Sequence, residues 1–480
     1  MRCTAVPSIL LGVLSGLAGC AVGPDYHAPR AIEGSEVPWV SATAKVEATA
    51  EPPDDWWELY HDTTLDAYLQ EAFTANTDLR IAAANLSASR AILQGTRSAR
   101  YPQTGTAVGV TYGRDGITDE ILEILGHEPE NIWVYEAALD VSYEVDLFGR
   151  VKRSIEAARA DDEAVAATRD IVKITVAAET ARAYAQICAL GEELVVARHS
   201  LDVVAHESEI IKNRMEAGAG SQFDVVRSEG LVAQVRAGIP PLEGQRRAIL
   251  FQLGALLGRP PSKAPTEAES CVVPPRLEAL IPVGDGATLL KRRPDIRQAD
   301  QRLAAATARI GVATADLYPR IQLKGLFGGI SSELNELATN KGLTWGVGPS
   351  ISWTFPNQAG PRARIRQARA NALAALAGFD NVVLQALKET EQTLVTYGAE
   401  LERRQGLADA QDRAHQAFDM AHDQFLAGAL SNLDLLTTEQ TLVSADAAVA
   451  TSDAALIQDQ IAVFKALGGG WRNTETVARR

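Results

Sequence analysis

The chain has 480 residues, with 46 Lys plus Arg against 61 Asp plus Glu for a formal net charge of −15, and it is 46% hydrophobic and 22% charged. That hydrophobic share excludes a disordered acidic tail and allows several hundred residues of ordered core, while the acidic balance argues against nucleic acid as a partner. Outside the extreme N-terminus there is no run of 18 or more uncharged apolar residues, which excludes a bundle of transmembrane helices and leaves any membrane role to another element.

The N-terminus reads as an address. Arg2 followed by the apolar run Ile9 to Leu17 matches a secretory signal over 1–19, too short for a span. Leu17, Ala18, Gly19 and Cys20 look like a bacterial lipobox, in which Cys20 becomes the lipid-modified first residue; an ordinary signal peptide with an incidental cysteine is the blander reading. Ala21 in place of Asp fits sorting to the outer membrane. Cys3, Cys20, Cys188 and Cys271 form no CxxC pair, so no zinc site is indicated. Cys188 falls on a predicted helix and Cys271 in a Pro-rich connector, and two free thiols are expected in preference to a disulfide.

Prolines divide the rest of the chain. None of the 21 lies between residues 130 and 239 or between 362 and 480. Because proline inside a helix costs roughly 3 kcal/mol or more, these tracts are where long helices belong. Ile365, Ala368, Ala372, Leu376, Phe379, Val383, Leu387, Thr390, Leu394, Tyr397 and Leu401 mark a stripe that covers 36 residues in ten steps, the period of a straight helix and not of a left-handed coiled coil. The spacing predicts a helix from Arg362 to Ala427, about 100 Å long at about 1.5 Å per residue.

The chain also repeats itself. An offset of 210 residues lays Ser142 on Ser352, Ala158 to Ala160 on Ala368 to Ala370, Gly218 on Gly428, Asp224 on Asp434 and Glu229 on Glu439; upstream, an offset of 217 lays Asp78 on Asp295 and Pro102 on Pro319. A single offset sustained over more than 100 residues predicts a structural duplication, not a solenoid of short repeats. The predicted order is an extended arm over 20–63, a first repeat over 64–258, a connector over 259–287, a second repeat over 288–468 and a tail over 469–480. Helices are expected at about 64–101, 150–217, 221–257, 288–318, 362–427 and 431–467, with strands within 103–148 and 320–356. Pro240 and Pro241 are expected to break the first repeat's return helix near Ile239.

The strands carry a membrane signal. From Trp133 the odd positions Tyr135, Leu139, Val141 and Tyr143 are apolar or aromatic, and the even positions Glu136, Asp140, Ser142 and Glu144 are polar. In the second repeat Leu343, Trp345, Val347, Ile351 and Trp353 alternate with Thr344, Gly346, Gly348, Ser350 and Ser352. A half-buried strand of a soluble sandwich alternates likewise, but aromatics on the apolar face favour a transmembrane β-barrel. Four strands cannot close a barrel and open edges are not tolerated in lipid, so several chains must contribute.

The lipobox, Asp54 to Trp57, Asn76 to Arg80, Asp146 to Arg150, the duplication and the ending Ala466 to Trp471 together resemble the TolC-type outer-membrane efflux family, in the lipoprotein branch that OprM and NodT typify. The resemblance implies an α+β membrane protein in which three copies build one 12-stranded outer-membrane β-barrel and a long α-helical periplasmic tunnel. It further implies a passive, non-enzymatic duct of a tripartite pump exporting small toxic compounds, partnered by a periplasmic adaptor and an inner-membrane transporter. A duct for secreted proteins and a lipid-anchored coiled-coil scaffold without a channel are the alternatives.

The helix turns are the candidate site. Gly218, Ser221 and Asp224, and Gly428, Ser431 and Asp434, both read Gly-x-x-Ser-x-x-Asp: a left-handed glycine stop, a serine cap and a returning carboxylate. By resemblance these are adaptor-docking tips, and Asp434 forms a pore constriction, to which Asp224 and Thr437 are the further candidates; Thr437 stands where some relatives have a second acid. Phe425 and Leu430 replace a Tyr and an Arg of those relatives, which puts a salt-bridged latch in doubt. No HExxH, GxSxG or P-loop occurs, and no cofactor is expected beyond the covalent lipid at Cys20. The pairs His199 with His206 and His415 with His422 are expected to lie on solvated helix faces.

Overall fold

The computed structural model describes residues 21–41, 46–47, 50–114, 124, 126, 128, 131–277 and 279–470. Cys20, the signal segment and the tail beyond Gly470 lie outside the described residues. In chain order the elements are β1 (Val46–Glu47), α1 (Thr63–Ala75), α2 (Thr77–Ser98), β2 (Gln103–Gly113), β3 (Ile132–Val145), α3 (Arg150–Glu216) and α4 (Gln222–Leu256). The remainder comprises β4 (Ile281–Pro282), α5 (Gly286–Arg292), α6 (Pro294–Ala315), β5 (Arg320–Ser331), β6 (Leu343–Ser352), α7 (Ala359–Leu426) and α8 (Asn432–Ala466). The duplication is visible in the bounds: α2 and α6 differ by 217 at both ends (77 and 294, 98 and 315), while α4 and α8 differ by 210 (222 and 432, 256 and 466).

The described chain divides into two compact units, one drawn from the residues up to Pro29, Leu86–Val165 and Ala299–Phe379, the other from Arg30–Asn85, Ala166–Gln298 and the residues from Asp380 onward. The first holds the antiparallel sheet β2-β3-β5-β6. Its arm crosses the base of the sheet: Val22 N donates to Phe148 O at 3.1 Å, and a Cβ on Gly149 would strike Ala21 at 2.5 Å. The Asp146 to Arg150 motif is the joint between strand and helix. Asp146 accepts from the amides of Val151 and Lys152 at 3.0 and 2.8 Å, capping α3, and Arg150 Nε returns to Glu144 at 2.8 Å.

In the second unit the arm is woven into the core, β1 pairing in parallel with β4. Trp56 stacks on Phe464 with centroids 4.9 Å apart, and a Cβ on Gly469 would come within 2.9 Å of the Trp56 ring. The glycines after α8 are therefore room for the tryptophan pair. Buried Arg292 donates to Pro53 O and Asp54 at 3.0 and 2.7 Å, tying α5 to the same segment.

Four expectations are corrected. The helices expected at 64–101 and 288–318 are each two. Asn76 ends α1 and caps α2 by accepting from Asp78 N at 2.9 Å, while its amide donates to Leu256 O at 2.9 Å; Arg293 sits at the second break and donates to Ala466 O at 2.6 Å. Helix α4 runs unbroken through Pro240 and Pro241. Arg236 and Ala237, whose carbonyls would have bonded to the missing N–H groups, are exposed, so water can satisfy them. Cys188 and Cys271 are joined in a disulfide, because the connector folds back on α3, where Arg246 holds the Cys271 carbonyl at 2.6 Å. Of the histidines, His199, His206 and His415 are exposed as expected, His415 bonding Asp446 at 3.0 Å from the surface, but His422 is drawn inward beside Glu207.

Candidate functional site

Two surfaces carry the functional reading, one in each unit. In the sheet, β3 is central, paired through eleven positions to β2 and eleven to β5. Its register lines up Tyr112 with Trp133, and Leu139 with Phe327 and Trp345, on a single face. A soluble sandwich would bury that face. Here it is exposed, Trp345 by 70% and Phe327 by 61%. The opposite face presents Gly105, Gly109, Gly346 and Gly348 among Asp140, Ser142, Lys324 and Ser350, mostly polar or without side chain, with Val134, Leu326 and Ile330 as its apolar exceptions. The strands are 10 to 14 residues long, enough to cross hydrocarbon when tilted. Among the described residues, β2 and β6 each have one unpaired edge.

At the far end of the second unit's hairpins lie the turns. Gly218 and Gly428 have φ of +78° and +75°, and Ala219 N reaches Arg214 O as Ala429 N reaches Gln424 O, both at 2.8 Å, closing the helix ends. Ser221 caps α4 in a reciprocal box with Asp224, and Ser431 caps α8, its hydroxyl donating to Asp434 at 2.6 Å. Thr437 donates to the Asp434 backbone carbonyl at 2.9 Å, a helix-internal bond. Asp434 is exposed and Asp224 half-exposed.

The structure adds two residues that the sequence did not single out. Asn432 Nδ2 donates to Asp224 Oδ1 at 3.2 Å, linking the two turns. Arg214 of α3 donates to Phe425 O at 2.7 Å and lies over the Phe425 ring, its Cζ 4.3 Å from the centroid. The hydrogen bond from the Ser221 side chain, with help from Asn432, holds the Asp224 carboxyl below the usual carboxylate range. A basic residue in the last turn of α3, four before Gly218, was the available signal for Arg214. Below these turns the hairpins meet in an apolar cluster that includes Val204, Ile211, Val225, Phe425, Leu435 and Leu436.

Among the described residues, no group of three or more His, Cys, Asp or Glu could hold a metal ion. A sheet with an exposed apolar face in one unit and capped helical hairpins in the other define the class, a channel-forming membrane protein. The family model for outer membrane efflux proteins matches residues 68–259 and 287–469. Nodulation protein T of Rhizobium leguminosarum bv. viciae is 27% identical over 465 residues, covering 97% of this chain and 93% of that one. The toluene efflux pump outer membrane protein TtgF of Pseudomonas putida is 29% identical over 473 residues, covering 97% of each. The solved outer-membrane channel OprN superposes with a TM-score of 0.87 at 32% identity, over 94% of this chain and 100% of that one. The chain belongs to the outer membrane efflux protein family, and it is an outer-membrane efflux channel, not an enzyme.

Proposed function

We propose that three copies of the chain close their sheets, β6 of one on β2 of the next, into a 12-stranded barrel that serves as the outer duct of a tripartite pump. The observation that carries this is the exposed apolar face of a sheet with two open edges, which lipid and neighbouring copies together would satisfy. The duct is passive, and its cargo is small toxic compounds; the toluene pump among its relatives supports that class. The turns at Gly218 and Ser221, and at Gly428 and Ser431, dock a periplasmic adaptor fed by an inner-membrane transporter. Asp434, with Asp224 and Thr437 beside it in the repeat pattern, narrows the pore as a three-fold carboxylate ring that Arg214 and Asn432 hold closed.

In this reading residues 1–19 are removed and Cys20 carries the lipid. Ala21 packed against Gly149, four residues past the end of β3, would bring that lipid to the membrane end of the sheet. Residues 20–63, 259–287 and 469–480 are the segments outside the repeats 64–258 and 288–468. The test is the Cys20→Ser variant, exported behind a cleavable signal and purified from outer membrane in detergent. A trimer by mass with discrete conductance steps is the expected result; a water-soluble monomer without conductance would overturn the proposal.

A further inference from the structure

In the apolar seam below the tips, Glu439 of α8 is fully buried, and among the described residues neither of its carboxylate oxygens has a hydrogen-bond partner. The residues around it in sequence, Leu435, Leu436 and Leu442, belong to the buried stripe of α8. The charge that faces it is the carboxylate of Glu207 on α3, itself 3% exposed with Oε2 unpartnered. His422 of α7 stands 2.8 Å from Glu207 Oε1, at ion-pair distance though without hydrogen-bond alignment. Among the described residues, Glu207 thus has an imidazole at ion-pair distance, and Glu439 has neither a hydrogen bond nor an ion pair.

The other groups on these elements are accounted for. Asp202 and His206 of α3 and Asp419 of α7 are exposed at the rim of a cleft that Glu207, Phe418 and His422 also line. Asp446 of α8 is engaged by His415 and Gln411, at 3.0 and 2.9 Å. From α4 the seam receives buried Ser228, bonded to Ser208 at 2.9 Å; Glu229 is exposed and Arg227 lies over Phe223.

We propose that Glu439 is a proton-operated release: with a proton on Glu439 the α7–α8 hairpin packs against α3–α4, and without it two carboxylates face each other in an apolar seam and the hairpins part. The inference rests on the duct reading, since parting the hairpins is what would open the pore. Burial, followed by the charge on Glu207, pushes the Glu439 carboxyl up to about 7 in the packed state, against an ordinary 4.5. The packed state therefore binds the extra proton between those values. Its stability is full below 4.5, falls as pH rises, and is level above about 7. Nothing of this shows in the repeat, because Glu229, the residue equivalent to Glu439, is exposed.

The test uses the full lipidated chain, in planar bilayers for channel opening and in detergent for amide exchange over residues 435–443, corrected for intrinsic rates, from pH 5 to 9. One proton released on opening predicts that the opening equilibrium rises about tenfold per pH unit between about 5 and 7 and then levels. Glu439→Gln should lose the slope and stay packed, and Glu207→Gln should shift the midpoint to lower pH. A wild-type slope retained in Glu439→Gln, or a wild-type protein without slope in either readout, would overturn the proposal. If exchange shows the slope but no pH yields conductance, the release stands and the duct reading fails.

Discussion

Arg214 and Phe425 join the two repeats by one side chain used twice: the guanidinium covers the ring at 4.3 Å and one of its nitrogens bonds the same residue's carbonyl at 2.7 Å. That carbonyl also accepts from Gly428 N, so the contact holds the glycine turn itself. A cation over an aromatic face is worth about 0.5–2 kcal/mol, and a charged hydrogen bond about 1.5–3. Arg214→Ala is expected to raise basal conductance several-fold, and Arg214→Lys to restore part of the closure, since an ammonium cannot lie flat on the ring while bonding the carbonyl. Single-channel recording of the two variants with Phe425→Ala as the third corner checks this; additive effects would separate the pair.

Asn432 and Asp224 provide the second tie, and it titrates. Hydrogen bonds from Ser221 and Asn432 lower the Asp224 carboxyl beneath its ordinary 3.8. A depressed carboxylate contributes stability that is present above the ordinary value and is lost as pH falls through the folded one. Tip protection against amide exchange should therefore be flat above about 4 and decline below it, and Asp224→Asn should remove the decline. Glu439 responds in the opposite sense and in a higher range, so the two carboxyls separate in a single titration.

How much of this was legible depends on the range of each interaction. The offsets of 210 and 217, the alternation around Trp133 and Trp345, and both Ser-x-x-Asp caps are local patterns, and the structure places them where the spacing put them. The breaks at Asn76 and Arg293 were missed because their side chains bond carbonyls at Leu256 and Ala466, some 170 to 180 residues away in sequence. The disulfide was missed for the same reason, its cysteines being 83 residues apart. Burial of Glu439 depends on which helix lies across from it, which no periodicity in α8 reveals.

The Cys188–Cys271 bridge pins the connector to α3, with Arg246 donating to the carbonyls of Ile187, Glu269 and Cys271. Closing a loop of that length removes unfolded-state freedom worth about 2–4 kcal/mol. Cys271→Ser should lower the melting temperature while leaving conductance unchanged, because the bridge lies away from both turns in sequence. Reductant applied to the wild type should reproduce the shift and have no effect on the variant.

On the apolar face of the sheet, Leu139, Phe327 and Trp345 stand side by side across three strands, with Val141 and Val347 flanking Gly325 in the next row. Their exposure is costless only in hydrocarbon, where a charge near the midplane costs about 2–4 kcal/mol. Phe327→Lys should therefore reduce the yield of membrane-integral oligomer, read by heat-modified mobility after outer-membrane extraction. Ser350→Lys, on the opposite face of the neighbouring strand, should assemble normally and alter ion selectivity instead. Equal tolerance of both substitutions would mean that the face meets protein, not lipid.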